Sequence, residues 1–347
     1  MRLKSSYELL QNVEKFLVSF EEEVRRAKSS IDLQFYTFEA DTVGKRAVKI
    51  LFEAKKRGIR IRFLQDHFID LFHNDRSIRR PRLNRRLHRS VVNEWNETKK
   101  LLAEMEKKGI EIKRTNPLGL FFRKALQRDH KKMVIIDSEL PSKSVAYIGG
   151  INLCEHNALW NDFMVKMTGD MVSIIQEDFN LTWEDKNIGK ITKYSDGIVL
   201  TDSRKSPQIM PYLTNLIDHA EKSVIVESPY LYGKEIKQNL IDAAQKGVDV
   251  SVIVPLHNNK RFFAPSGRFL KKLIRGGAHV YSFEKNGGMT HAKAMLIDNA
   301  AVFGSSNFNE FLSGRICEIN IATENEDMVR QLRKKLESDM QVSQKQS

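Results

Sequence analysis

Cysteine is scarce in this chain: Cys154 and Cys317 are the only two among 347 residues. That excludes a small disulfide-stapled scaffold. A bridge between the two is conceivable, but reduced thiols are the expectation. Long apolar runs are missing as well, and nothing approaches the roughly 20 residues needed to cross a bilayer. The N-terminus has Arg2 and Lys4 without an apolar core behind them, and Glu14, Glu21, Glu22 and Glu23 follow, so neither an export signal nor a transit peptide is expected. No His, Cys and Asp cluster has zinc-site spacing, and no Gly-rich loop runs into Lys and Ser or Thr. Neither a metal nor another cofactor is therefore expected. Acidic surplus is the last absence. With 57 Lys and Arg against 44 Asp and Glu, the net charge is +13, which suits a polyanionic partner, either nucleic acid or an acidic bilayer face.

What is present is a duplication. His-x-Lys-x4-Asp occurs as His130, Lys132 and Asp137 and again as His291, Lys293 and Asp298. Each copy lies in an apolar run that reads as a strand, where alternate residues share a face, so each His and its Lys project together. The odd spacing turns Asp137 and Asp298 to the other face, which makes them structural acids. Gly149-Gly150-Ile151-Asn152 and Gly304-Ser305-Ser306-Asn307 follow, then one carboxylate in each strand-like context, Asp162 and Glu318. The His pair is offset by 161 positions (130 to 291), the Asn pair by 155 (152 to 307) and the carboxylates by 156 (162 to 318). Upstream, both copies read as helix, strand, helix, Gly stop, strand, with Gly58 matching Gly247.

Strands alternating with helices predict an α/β protein with largely parallel or mixed sheets. The length allows two units, each able to bury a core. The expected boundaries are a first lobe over 1–190, a second over 191–340 and a polar tail over 341–347, with the stretch from Glu337 to Ser347 expected to fray. The first lobe carries an arginine-rich insertion around 72–96, with Arg76, Arg79, Arg80, Arg82, Arg85, Arg86 and Arg89.

Two histidines at one phosphodiester allow one imidazole to attack phosphorus while the other, protonated, serves the leaving oxygen. Lys132, Lys293 and the amides of Asn152 and Asn307 supply donors for the equatorial oxygens. Asp162 and Glu318 are suited to hold the second ring nitrogens and fix the tautomers.

At these residues the sequence resembles the phospholipase D superfamily, and within it the bacterial cardiolipin synthase-like phosphatidyltransferases that lack transmembrane helices. Gln34 to Glu39, Asp41, Gly44, Trp160 and Ser228-Pro229-Tyr230 also carry the likeness. It implies two α/β lobes related by a pseudo-twofold, each a mixed sheet flanked by helices. It further implies one active site between them and a metal-independent phosphohistidine intermediate, with His130 as nucleophile and His291 as acid and then base. A monomer suffices, because both half-sites lie on one polypeptide. The stretch Phe308 to Arg315 departs from the usual pattern, which puts the acceptor in doubt. The expected function is phosphatidyl transfer, with lipid hydrolysis or a metal-free nuclease as alternatives.

Just before the first motif, Phe121 and Phe122 followed by Arg123 and Lys124 look like an interfacial element for an anionic membrane. Lys260-Arg261-Phe262-Phe263 is a second such element. The expected location is cytoplasmic, peripheral on the inner face of the cell membrane.

Overall fold

A computed structural model describes residues 5–67, 85–116, 127–258, 265–285 and 287–347, with the backbone alone over 85–91. The first half forms a seven-stranded sheet from β1 (Ser6–Gln11), β2 (Ser30–Phe35), β3 (Arg60–Asp66), β4 (Glu111–Thr115), β5 (Met133–Ile136), β6 (Val145–Gly149) and β7 (Phe163–Thr168), in the order β1-β7-β6-β5-β2-β3-β4. The second half forms a nine-stranded sheet from β8 (Lys190–Tyr194), β9 (Gly197–Asp202), β10 (Ser223–Glu227), β11 (Asp249–Pro255), β12 (His279–Phe283), β13 (Ala294–Ile297), β14 (Ala300–Gly304), β15 (Glu318–Thr323) and β16 (Gln344–Lys345), in the order β16-β12-β11-β10-β13-β14-β15-β9-β8. Without the edge strands β8 and β16, the second order repeats the first strand for strand. In both sheets one three-strand block is parallel and the rest antiparallel.

The helices are α1 (Asn12–Arg26), α2 (Thr42–Lys56), α3 (Arg85–Lys107), α4 (Met171–Trp183), α5 (Ile209–Asp218), α6 (Lys234–Gln245), α7 (Gly267–Arg275) and α8 (Glu326–Gln341). Their placement follows the apolar spacing. In α2, Val43, Ala47, Val48, Leu51 and Ala54 form one buried stripe. The Asp41 side chain accepts from the Gly44 amide at 3.0 Å and caps its start. Past the end, Gly58 has φ +86°, as Gly247 beyond α6 has φ +92°. Glycine adopts this left-handed stop at little cost.

α1, α2 and α3 cover the outer face of the first sheet, and α5, α6 and α7 the outer face of the second. α4 and α8 lie between the sheets. α4 touches β5, β6 and β7 on one side and β9 on the other, while α8 touches β12, β13 and β14 as well as β1. A third core results, in which Met133, Ile148 and Phe179 share a cluster with Ile225, Leu296 and Leu336. The halves thus bury their outer faces separately and their inner faces jointly.

Two expectations change. The polar residues 341–347 are not a frayed end. Gln344 and Lys345 pair with Ser282 and Tyr281, and the Gln346 amide donates to the Val280 carbonyl at 2.8 Å. An edge strand is held by its backbone, so side-chain polarity hid it. The motif His and Lys residues also precede their strands, which begin at Met133 and Ala294. Of the arginine-rich insertion around 72–96, the part over 72–84 lies outside the described residues and the remainder, 85–96, enters α3.

Asp137 and Asp298 occupy matching corners, both at positive φ, 52° and 49°. Asp137 accepts from the amides of Lys28, Ser29 and Ser30 at 2.7, 2.7 and 3.1 Å. Asp298 accepts from Glu221, Lys222 and Ser223 at 2.9, 2.8 and 2.9 Å. Burial opposes the charge on Asp298, but the three amides outweigh it and hold the carboxyl below the usual range. A depressed folded pKa gives stability that is present above the unfolded value, near 4, and is lost as pH falls through the folded one. Asp298→Ala is expected to lower unfolding free energy by about 2 kcal/mol at pH 7. Urea denaturation should show that deficit shrinking as the pH is taken below about 4.

Candidate functional site

Each histidine segment is stitched to the other half by its backbone. Asp129 bridges Cys317, and Asn161 bridges Thr290, both in parallel fashion. The His130 amide donates to the Cys317 carbonyl at 2.9 Å, and the Cys317 amide to Arg128 at 2.8 Å. Across the other seam, the His291 amide donates to the Asn161 carbonyl at 2.8 Å, and the Asn161 amide to Met289 at 2.9 Å.

These seams set which carboxylate meets which imidazole. His130 Nδ1 lies 2.9 Å from Glu318 Oε1 and 3.2 Å from the Ser305 carbonyl. His291 Nδ1 lies 2.6 Å from Asp162 Oδ2. Each ring is therefore held by a carboxylate of the opposite half. A carbonyl only accepts, so His130 Nδ1 carries a proton shared between these two oxygens.

The two half-sites are alike but not identical. The Ser305 hydroxyl donates to Glu318 Oε2. At the matching place stands Gly150, where a Cβ would fall 2.3 Å from Asp162 Oδ1. The shorter Asp162 thus occupies space that Ser305 fills beside the longer Glu318. Lys132 donates to the carbonyl of His130. Lys293 Nζ sits 2.9 and 3.2 Å from the two ring nitrogens of His291. Aromatic rings complete the walls. Tyr36 packs on His130 and Trp160 on His291, each with centroids 4.7 Å apart, and Tyr230 lies 6.2 Å from His291.

Burial, with Lys293 and then Lys132 behind it, pushes the His291 ring down to about 3 against the pull of Asp162. Burial works to raise Asp162, but Lys293 and His291 outweigh it and keep it below the usual carboxylate range. At Glu318 burial wins and lifts the group to about 7, in spite of Lys132, Ser305 and Lys293. Lys132 is felt at His291 and Lys293 at Glu318, so the two halves share one electrostatic field.

His130, Lys132, Asp162, His291, Lys293 and Glu318 are thus brought together. The asparagines flank them: Asn152 Oδ1 accepts from the Thr37 amide at 3.2 Å, and the Asn307 carbonyl accepts from Ser228 Oγ at 3.2 Å. Phe121, Phe122, Arg123 and Lys124, like Lys260 to Phe263, lie outside the described residues. Sequence reasoning gave no role to Ser305, Tyr36, Trp160 or Tyr230. The available signal was their position, beside the second Asn, next to the first catalytic-type carboxylate, or just past matched strands.

Glu39, Cys154 and His156 place a carboxylate oxygen, a thiol and an imidazole within 4.8 Å of one another. His156 Nδ1 and Glu39 Oε2 are paired at 3.0 Å, which ties that ring to a carboxylate beside the cleft. Both cysteines are buried and neither is in a disulfide. Among the described residues no helix is long and apolar enough to cross a membrane.

A family model described as "Cardiolipin synthase, PLD-like domain" matches residues 20–183 and 213–340. A probable cardiolipin synthase of Bacillus subtilis is 27% identical over 99% of this chain and 67% of its own length. A cardiolipin synthase of Geobacillus is 24% identical over 88% of this chain and 60% of its own. The chain therefore spans about two thirds or less of these relatives. Among solved structures, phosphatidylserine synthase of Haemophilus influenzae superposes with a TM-score of 0.73 at 14% identity, covering 100% of this chain and 89% of that one. That likeness is one of fold.

The electrostatics make one claim that titration can check. Lys293→Met removes the cation nearest the ring and leaves the burial, so His291 should titrate higher than in the parent protein while remaining below an ordinary histidine. Proton NMR of the imidazole Cε1–H resonance reads this directly, and an unchanged or lower value would contradict the assignment.

Proposed function

Because the chain belongs to the PLD-like domain family of the cardiolipin synthase type, we propose that it is a phosphatidyltransferase acting on phospholipids at an anionic membrane surface. The observation that carries this reading is the reciprocal pairing of two imidazoles with two carboxylates, flanked by two buried lysines. A single chain is sufficient for the reaction, with lobes 1–190 and 191–340 each supplying half of the chemistry.

His130 Nε2 attacks the phosphorus of phosphatidylglycerol. A P–N bond forms, the bond from phosphorus to the glycerol oxygen breaks, and His291 gives its proton to the departing glycerol. The glycerol hydroxyl of a second phosphatidylglycerol then loses its proton to His291 and attacks phosphorus. The P–N bond breaks, so the products are cardiolipin and glycerol. Water in place of the second alcohol would give hydrolysis. Glu318 supports the charge that develops on His130, and Asp162 does so for His291. Lys132, Lys293 and the side-chain amides of Asn152 and Asn307 serve the equatorial oxygens. His291 rests neutral, so it must take up a proton from solvent as the substrate binds before it can protonate the departing glycerol. A phosphate anion in the cleft opposes the effects of burial, Lys293 and Lys132, which is the required direction.

Incubated with phosphatidylglycerol vesicles in EDTA, the protein is expected to release glycerol and form the dimeric lipid, and His130→Ala and His291→Ala to lose both products. Cleavage of DNA by the parent protein but not by these variants, without lipid products, would replace lipid by nucleic acid as substrate. Loss of turnover in EDTA would refute a metal-free reaction. Gly150→Ala should push Asp162 off His291 and reduce turnover about 100-fold, with little change in melting temperature. Parent-like turnover would show that the Asp162 contact is dispensable.

A further inference from the structure

A groove of about 680 Å³ opens on the second half beside the cleft, between the start of α6, the start of α7 and the loop after Asn307. Its apolar wall is made by Tyr232, Phe269 and Phe311, of which Tyr232 is 49% and Phe311 38% exposed. Its basic wall is made by Lys237, Arg268 and Lys272. The one acid among the described lining residues, Glu310, is engaged by the α6 terminus, accepting from the Lys234 and Ile236 amides at 2.9 and 2.6 Å. The groove is therefore cationic with an aromatic floor. α7 itself (Gly-Arg-Phe-Leu-Lys-Lys-Leu-Ile-Arg) is strongly amphipathic, burying Leu273 and presenting its bases outward.

The groove is coupled to the reaction centre by two paired segments. Tyr232 bridges Asn309, with the Tyr232 amide donating to Phe308 at 3.3 Å and the Glu310 amide donating to Tyr232 at 3.0 Å. Tyr230, whose ring faces His291, is only two residues from Tyr232, on the order of 7 Å of extended chain. Phe311 follows Asn307 by four. A headgroup held in the cleft thus belongs to a molecule whose neighbours in a bilayer would meet this groove.

We propose that the groove docks the protein on an anionic phospholipid bilayer, with Lys237, Arg268 and Lys272 on headgroup phosphates and Tyr232 and Phe311 at the boundary between headgroups and acyl chains. Aromatic side chains interleaved with bases favour a bilayer interface, whereas a nucleic-acid track needs bases strung along a backbone path. The orientation deepens the lipid reading given above and rests on it for the purpose of docking.

Two independent variants test it, Lys237→Glu/Arg268→Glu/Lys272→Glu and Tyr232→Ser/Phe311→Ser, both compared with the parent protein by co-sedimentation with phosphatidylcholine vesicles containing or lacking phosphatidylglycerol. Each variant is expected to lose at least tenfold in binding to the anionic vesicles. Turnover of vesicular phosphatidylglycerol should fall in parallel, while turnover of a short-chain, water-soluble phosphatidylglycerol stays within twofold of the parent. Parent-like vesicle binding by both variants would overturn the docking surface and leave the lipid chemistry standing. So would equal loss on the soluble substrate, or lost binding to an oligonucleotide with vesicle binding intact. If the parent protein turns over neither lipid form, the transferase reading fails, and sedimentation still decides whether this groove holds the bilayer.

Discussion

The site depends on an exchange between halves. Glu318 holds His130, and Asp162 holds His291, each at hydrogen-bond distance across the seam. The main chain enforces this, because the residues next to each carboxylate and each histidine are joined by amide-to-carbonyl bonds. Rigid backbone pairing, rather than the reach of flexible side chains, sets the distance. The shared middle core, with α4 and α8 each touching both sheets, keeps the seams in register. Each motif histidine takes its carboxylate from the opposite half, so neither half alone holds a motif ring and the carboxylate that pairs with it.

A buried ion pair lies behind each seam. Lys131 donates to Asp178 on α4 at 2.8 Å, with Thr182 and Asn187 as further partners. In the other half the polarity is reversed: Lys335 on α8 meets Glu227 on β10 and Asp339 one turn on. Asn161 and Thr290, the two residues that form the second bridge, donate to this cluster as well. Burial opposes the charge on Lys335, yet Glu227 and Asp339 hold it protonated above the ordinary lysine range. Such pairs add little net stability compared with apolar packing. Here each one joins a middle-layer helix to a strand or loop that leads into the site.

Much of this was legible because the chemistry is written twice. The strand orders match, as the matched Gly stops implied, and the repeat singled out six polar residues that the fold gathers. Partnership was not legible: spacing shows that Asp162 and Glu318 follow their own motifs, but only tertiary contact shows that each serves the other motif. The strand assignment of His130 and His291 missed for a related reason, since their backbone bonds run to the opposite half and leave the home ladder to start at Met133 and Ala294. Lys335, Asp339 and Glu227 were not singled out, because nothing local shows that a lysine on α8 meets a carboxylate on β10. The tail read as loose because β16 is held through its backbone.

Joining two similar halves in one polypeptide has a chemical consequence. In a twofold assembly of identical copies the paired rings would have equal surroundings and hence equal proton affinity. Covalent fusion lifts that equality, and the inequality is visible at Gly150 against Ser305 and at Asp162 against Glu318. The two rings are thereby set apart before any ligand arrives, whereas identical copies would become unequal only once an asymmetric ligand is bound.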